Sequence, residues 1–240
     1  MTEAPDPGEV DALRHAREAV LARIAAAAGR AGRDPGDVAL VAVSKTVEAS
    51  RLRAAVAAGY DVLGENRVQE AEAKAPEVPG PVWHLVGPLQ SNKARRALEL
   101  FDVIQSVHEL DLALRLDRLA GEALASAPRT VLLQVNVDRD PAKAGFDPDA
   151  LASATDALDA CRALDFRGLM TIGRLVDDPD DARPTFAGLR ELSARLRERW
   201  PRLGPDLSMG MSDDFEVAVE EGATIVRVGR ALFGERPATR

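Results

Sequence analysis

Short apolar runs alternate along this chain with longer stretches in which apolar residues recur at helical spacing. Such alternation is the mark of a parallel sheet whose strands are joined by crossover helices. The apolar runs predict eight strands: "VALVAV" (38–43), "VLG" (62–64), "VWHLV" (82–86), "VIQSV" (103–107), "TVLLQVNV" (130–137), "FRGLM" (166–170), "DLSM" (206–209) and "TIVRVG" (224–229). The spacing predicts helices at about 49–58, 66–75, 91–98, 109–124, 147–160, 180–199 and 213–221, another from about 230, and a leading one at about 8–29. Eight strand–helix units in 240 residues predict an α/β fold, a single (β/α)8 TIM barrel with an extra N-terminal helix. The expected layout is one domain over 1–240, with 1–7 flexible, 8–29 the leading helix and 38–235 the barrel. An open doubly wound sheet is the competing architecture, but its "GxGxxG" turn is absent after the first strand.

Strand parity sorts residues by face. Lys45 is in step with Val41 and Val43, Arg227 with Ile225 and Gly229, and Gln134 with Asn136. With these parities facing inward, the upper end of the barrel would hold Lys45, Gln134, Asn136 and Arg227. Functional groups of barrels gather at the C-terminal ends of strands, and a lysine ending an apolar strand needs a partner or a task, because burying an ammonium is costly. The turns after the seventh and eighth strands carry Gly210, Ser212 and Gly229, small residues that open backbone amides to an anion. Barrels often hold a phosphate there. The plainer alternative is that Ser212 caps a helix whose dipole Asp213 and Asp214 complement.

Composition removes several classes of partner. With 31 basic against 39 acidic residues, a formal charge of −8 and no long basic stripe, nucleic acid and anionic membranes are not expected partners. The opening "MTEAPDPGEV" reads as no targeting segment, and no apolar run approaches the roughly 18 residues of a membrane span, so a cytoplasmic location is expected. The single cysteine, Cys161, reads as a buried packing residue in a reducing compartment. No His/Asp/Glu group has metal-ligand spacing. His84 reads as a hydrogen-bonded interior histidine, with a catalytic base as the sharper alternative. His15 reads as solvated, Trp83 and Trp200 as packing residues, and Asn92 with Lys93 as a solvated first helical turn.

A phosphate cradle, a strand-end lysine and an inward arginine together point to pyridoxal 5'-phosphate, whose aldehyde forms a Schiff base with a lysine amine. Arginine cannot give up a proton, so facing the pyridine nitrogen it leaves the ring a weak electron sink.

The segments "VAVSKT", "GENRVQE", "WHLVGPLQSNK", "RGLMTI" and "SMGMSDDFEVAVEEGATIVRVGRALFG" resemble the signatures of the YggS/PROSC family of pyridoxal phosphate homeostasis proteins, over about residues 38 to 235. Members resemble the barrel domain of alanine racemase with an added N-terminal helix. The resemblance implies that Lys45 carries the aldimine, that Arg227 contacts the pyridine nitrogen, that Ser212 with the amides around Gly229 and Arg230 holds the phosphate, and that Asn66 lies beside the ring. It also implies a binding and buffering role, with delivery to apoenzymes. A weak amino-acid racemase or lyase is the alternative. The chain departs from the pattern at Val47–Glu48 and at His108–Glu109. Its only tyrosine, Tyr60, precedes the second strand and is expected at the opposite end of the barrel. A monomer is expected.

Overall fold

The computed structural model describes residues 4–122, 127–174 and 176–234. In chain order the elements are α1 (Pro7–Arg30), β1 (Ala39–Val43), α2 (Ala49–Ala57), β2 (Val62–Glu65), α3 (Val68–Lys74), β3 (Val82–Leu85), α4 (Ala94–Leu100), β4 (Val103–Val107), α5 (Leu110–Glu122), β5 (Arg129–Gln134), α6 (Pro148–Asp159), β6 (Leu164–Met170), α7 (Arg183–Arg199), β7 (Asp206–Ser208), α8 (Phe215–Glu220), β8 (Ile225–Val228) and α9 (Arg230–Phe233). The end of the expected fourth crossover helix, 123–124, and residue 235 lie outside the described residues.

The eight strands are parallel and close into a barrel in sequence order, β8 returning to β1 through the pairs Ala39↔Ile225 to Ala42↔Val228. Alternation along the strands splits the apolar side chains into two sets. Val41, Val86, Leu132, Met170 and Ile225 pack inside the barrel, while residues of opposite parity such as Ala42, Leu63, Leu85 and Val226 pack under the helices. Lys45 therefore continues the inward parity of Val41 and Val43, just beyond the end of β1.

The leading helix starts where Pro7 presets φ and Asp6 accepts a hydrogen bond from Glu9 N at 2.9 Å. Its buried stripe of Leu13, Val20, Ile24, Ala27 and Ala28 lies against the barrel. Charged contacts then tie it to α8, with Arg23 on Glu216, Arg30 on Glu220, and the Arg23 guanidinium 4.4 Å above the Phe215 ring. Among the described residues no helix is long and apolar enough to cross a membrane.

Candidate functional site

A cavity of about 940 Å³ opens at the C-terminal ends of the strands, and Lys45, Asn66, Ser212, Arg227, Gly229 and Arg230 all line it. The closure of β8 on β1 brings Lys45 and Arg227 to one wall from opposite ends of the chain. Two close backbone approaches shape the rim. At Gly87 a Cβ would sit 2.3 Å from Asn66 O, and at Gly210, where φ is +90°, it would sit 2.5 Å from Ala218 Cβ, so both turns demand glycine. Four cationic residues, Lys45, Arg51, Arg227 and Arg230, line the cavity against two carboxylates, Glu48 and Asp213. The cavity thus inverts the sign of an acidic chain and suits an anion. The departures Val47 and Glu48 fall on this wall.

The backbone on either side of Lys45 is anchored from the helix side of the barrel. Ser44 Oγ donates to Glu65 Oε1 at 2.7 Å, and Lys74 Nζ donates both to the same oxygen, at 2.8 Å, and to Ser44 O, at 3.0 Å. Beyond the lysine, Thr46 N donates to Glu70 Oε2 at 3.3 Å, and Thr46 holds a left-handed φ of 66°. Glu65 is fully buried. Burial pushes its carboxyl above the usual range, and the hydrogen bond from Lys74 opposes that shift. Sequence reasoning missed this cluster, although an acid ending the apolar run "VLGE" is a signal for it.

Arg227 is buried, and desolvation draws its guanidinium down to about 10, against the opposing field of Asp214. Its hydrogen bonds go to neutral acceptors: Nη1 to Ser208 Oγ at 2.6 Å and Nη2 to Thr171 O at 2.7 Å. Ser208 in turn donates to Gln105 Oε1 at 2.6 Å, and Gln105 Nε2 lies 2.7 Å from His84 Nδ1. Among the described residues no carboxylate forms an ion pair with Arg227. A buried cation paired only with dipoles favours an anionic or electron-rich ligand in the adjoining space.

Two residues beyond Arg227, Gly229 N donates to Ser212 Oγ at 3.4 Å, and a Cβ on Gly229 would come within 3.2 Å of Val43 O. The Ser212 hydroxyl and the backbone of Gly229 and Arg230 therefore meet at one corner of the cavity, residue types that fit a phosphate. The Arg230 guanidinium is engaged by Asp213 at the rim.

Several expectations need correction. Ser212 is not a helix cap: α8 begins later, with Asp214 as its N-cap, and Asp214 Oδ1 accepts from Met211 N at 2.6 Å, which folds the turn so that Ser212 faces the cavity. Gln134 and Asn136 are not among the residues that line the cavity. β5 ends at Gln134, and the chain then folds back to pair with Phe146, so the Gln134 amide donates to Ala144 O while Asn136 donates to Asp140 O. Both side chains pin the following loop. The helix expected at 66–75 begins at Val68, which leaves Asn66 in the preceding turn.

His84 is buried and hydrogen-bonded, with its pKa drawn down to about 4 by burial. Tyr60 is buried, donates to Leu13 O at 3.0 Å, and burial raises its hydroxyl to about 12. Cys161 is buried just past α6 and burial raises its thiol to about 11. Asn92 is exposed ahead of α4, and His15 is exposed on α1. Trp83 and Trp200 are buried, and the Trp200 indole donates to Asp159 Oδ1 at 2.8 Å.

The family model for the alanine racemase N-terminal domain matches residues 16–237. The pyridoxal phosphate homeostasis protein of Pseudomonas aeruginosa is 46% identical over 220 residues, 90% of this chain and 93% of that protein. Among solved structures, PipY of Synechococcus elongatus with pyridoxal phosphate bound superposes with a TM-score of 0.78 at 45% identity, covering 88% of this chain and all of that one. A Bifidobacterium adolescentis protein, described only as unknown, superposes with a TM-score of 0.88 at 35% identity, over 97% of this chain and 98% of that one.

Proposed function

Because this chain belongs to the pyridoxal phosphate homeostasis family, built on the alanine racemase N-terminal domain, we propose that its cavity holds pyridoxal 5'-phosphate on Lys45 and that the protein binds, buffers and delivers this cofactor. The observation that carries the reading is Arg227, a buried cation whose hydrogen bonds among the described residues go to a hydroxyl and a carbonyl, set on the strand beside that of Lys45 and next to Ser212 and Gly229 in the same cavity. When bound, the cofactor supplies an aldehyde with which a lysine amine condenses with loss of water.

Lys45 presents that amine. Ser212 and the main-chain N–H groups of Gly229 and Arg230 hold the phosphate, Asn66 lies beside the ring, and Arg227 donates to the pyridine nitrogen. Since the guanidinium keeps its proton, the ring nitrogen stays unprotonated and accumulates little negative charge. That arrangement favours retention of the cofactor over carbanion chemistry.

The competing reading, a weak amino-acid racemase or lyase, needs an acid–base group facing Lys45. Among the described residues that line the cavity there is no tyrosine, histidine or cysteine; of its two carboxylates Asp213 is engaged by Arg230, which leaves Glu48 as the acid–base candidate of that reading. Tyr60 spends its proton on a carbonyl of α1. Recipient apoenzymes and a cytoplasmic location belong to the same proposal, and the location draws support from the single buried cysteine.

The test is the visible spectrum of the purified protein with added pyridoxal phosphate, followed by borohydride reduction and peptide mapping, beside Lys45→Ala. The expected result is an absorption band whose reduced label maps to the Lys45 peptide and is missing in the variant. A label confined to other lysines, or no band, overturns the proposal.

A further inference from the structure

The polar chain inside the barrel has a direction, and chemistry fixes it. Arginine can only donate, so Ser208 Oγ must accept from Arg227 and has its own proton left to give to Gln105 Oε1. The Gln105 amide then turns its NH2 toward His84, whose Nδ1 must be an acceptor with the ring proton on Nε2. The opposite amide orientation would have both Arg227 and Gln105 donate to Ser208 Oγ and would take from the Ser208 proton its Gln105 acceptor. All four side chains are buried, drawn from β3, β4, β7 and β8, and each bond in the chain lies between 2.6 and 2.7 Å. Thr171 O holds the second arm of the guanidinium, which fixes its plane.

We propose that Ser208, Gln105 and His84 are positioning residues for Arg227: a carboxylate-free, one-way hydrogen-bond chain that locks the guanidinium toward the cavity and leaves its charge available to a ligand. This inference rests on the reading of the cavity as a pyridoxal phosphate site and adds the means by which that site is tuned. A carboxylate in place of Ser208 would orient the arginine equally well but would neutralise it. Hydroxyl, amide and neutral imidazole orient it while passing on only polarisation. The three partners sit far apart in sequence, and each is a buried polar side chain on a different strand, where core residues are most often apolar.

The experiment compares wild type with Ser208→Ala, Ser208→Thr and Gln105→Met, each checked for wild-type near-ultraviolet dichroism. In the protein without cofactor, nitrogen-15 NMR of the Arg227 guanidinium should show slowly exchanging Nη–H signals. These should vanish in Ser208→Ala, weaken in Gln105→Met and persist in Ser208→Thr, which keeps the hydroxyl. With pyridoxal phosphate added, Ser208→Ala should bind about tenfold more weakly, with a shifted absorption maximum on Lys45, and Ser208→Thr should restore both. Folded Ser208→Ala and Gln105→Met proteins with unchanged guanidinium signals overturn the proposal, as do unchanged signals in Gln105→Met alone should Ser208→Ala fail to fold. Failure of the wild type to bind the cofactor overturns the function proposed for the cavity instead, and the cofactor-free spectra then decide the hydrogen-bond chain by themselves.

Discussion

Burial keeps the His84 imidazole neutral, with its pKa drawn from 6.5 to about 4 and the Asp102 carboxylate opposing the shift. The sign of the linkage follows. An unfolded chain takes up a proton at this histidine near pH 6.5, whereas the folded protein declines it until about pH 4, so His84 contributes stability above that window and loses it as pH falls through it. The amplitude is about 3 kcal/mol at 1.36 kcal/mol per pH unit. Urea unfolding of wild type and His84→Gln at successive pH values should show the gap between them narrowing by that amount from pH 7 to 4. A constant gap would contradict the neutral imidazole that accepts at Nδ1.

At the scale of elements, the turn that presents Ser212 is held from behind by α1, because α8 follows that turn directly and α1 covers it through Arg23, Arg30 and the stripe around Ile24. Ile24→Ala should cost about 2–5 kcal/mol in chemical denaturation, in the range of other fully buried truncations. A loss below about 1 kcal/mol would mean that the helix merely rests on the barrel. Elements of this kind were legible in the chain because parallel strands buried on both faces read as apolar runs and amphipathic helices repeat at a fixed spacing. Parity also placed Lys45 and Arg227 on one wall, since side-chain alternation is local. Two kinds of feature escaped. Strand ends depend on where the chain turns, so β5 stops at Gln134 when the backbone pairs with Phe146, and Gln134 and Asn136 leave the cavity. Partnerships across the barrel, such as Gln105 with Ser208 or Lys74 with Glu65, join residues that no local pattern relates.

Across the whole molecule, the large apolar side chains that stand exposed among the described residues are Val82, Leu114 and Met211, and they come from different parts of the chain. Single exposed apolar residues of this sort are ordinary on monomeric proteins. Sedimentation equilibrium should accordingly give the mass of one chain, 25.7 kDa, and a dimer mass at micromolar concentration would reveal an interface that these residues do not supply. Closure of β8 on β1 carries one more consequence, and it concerns the birth of the protein. Lys45 emerges early in synthesis, but Arg227, Gly229 and Arg230 arrive almost last, so a partly made chain has one wall residue of the cavity without the others. If Lys45 holds the cofactor as proposed, tight loading has to await the complete barrel and becomes a readout that folding has finished.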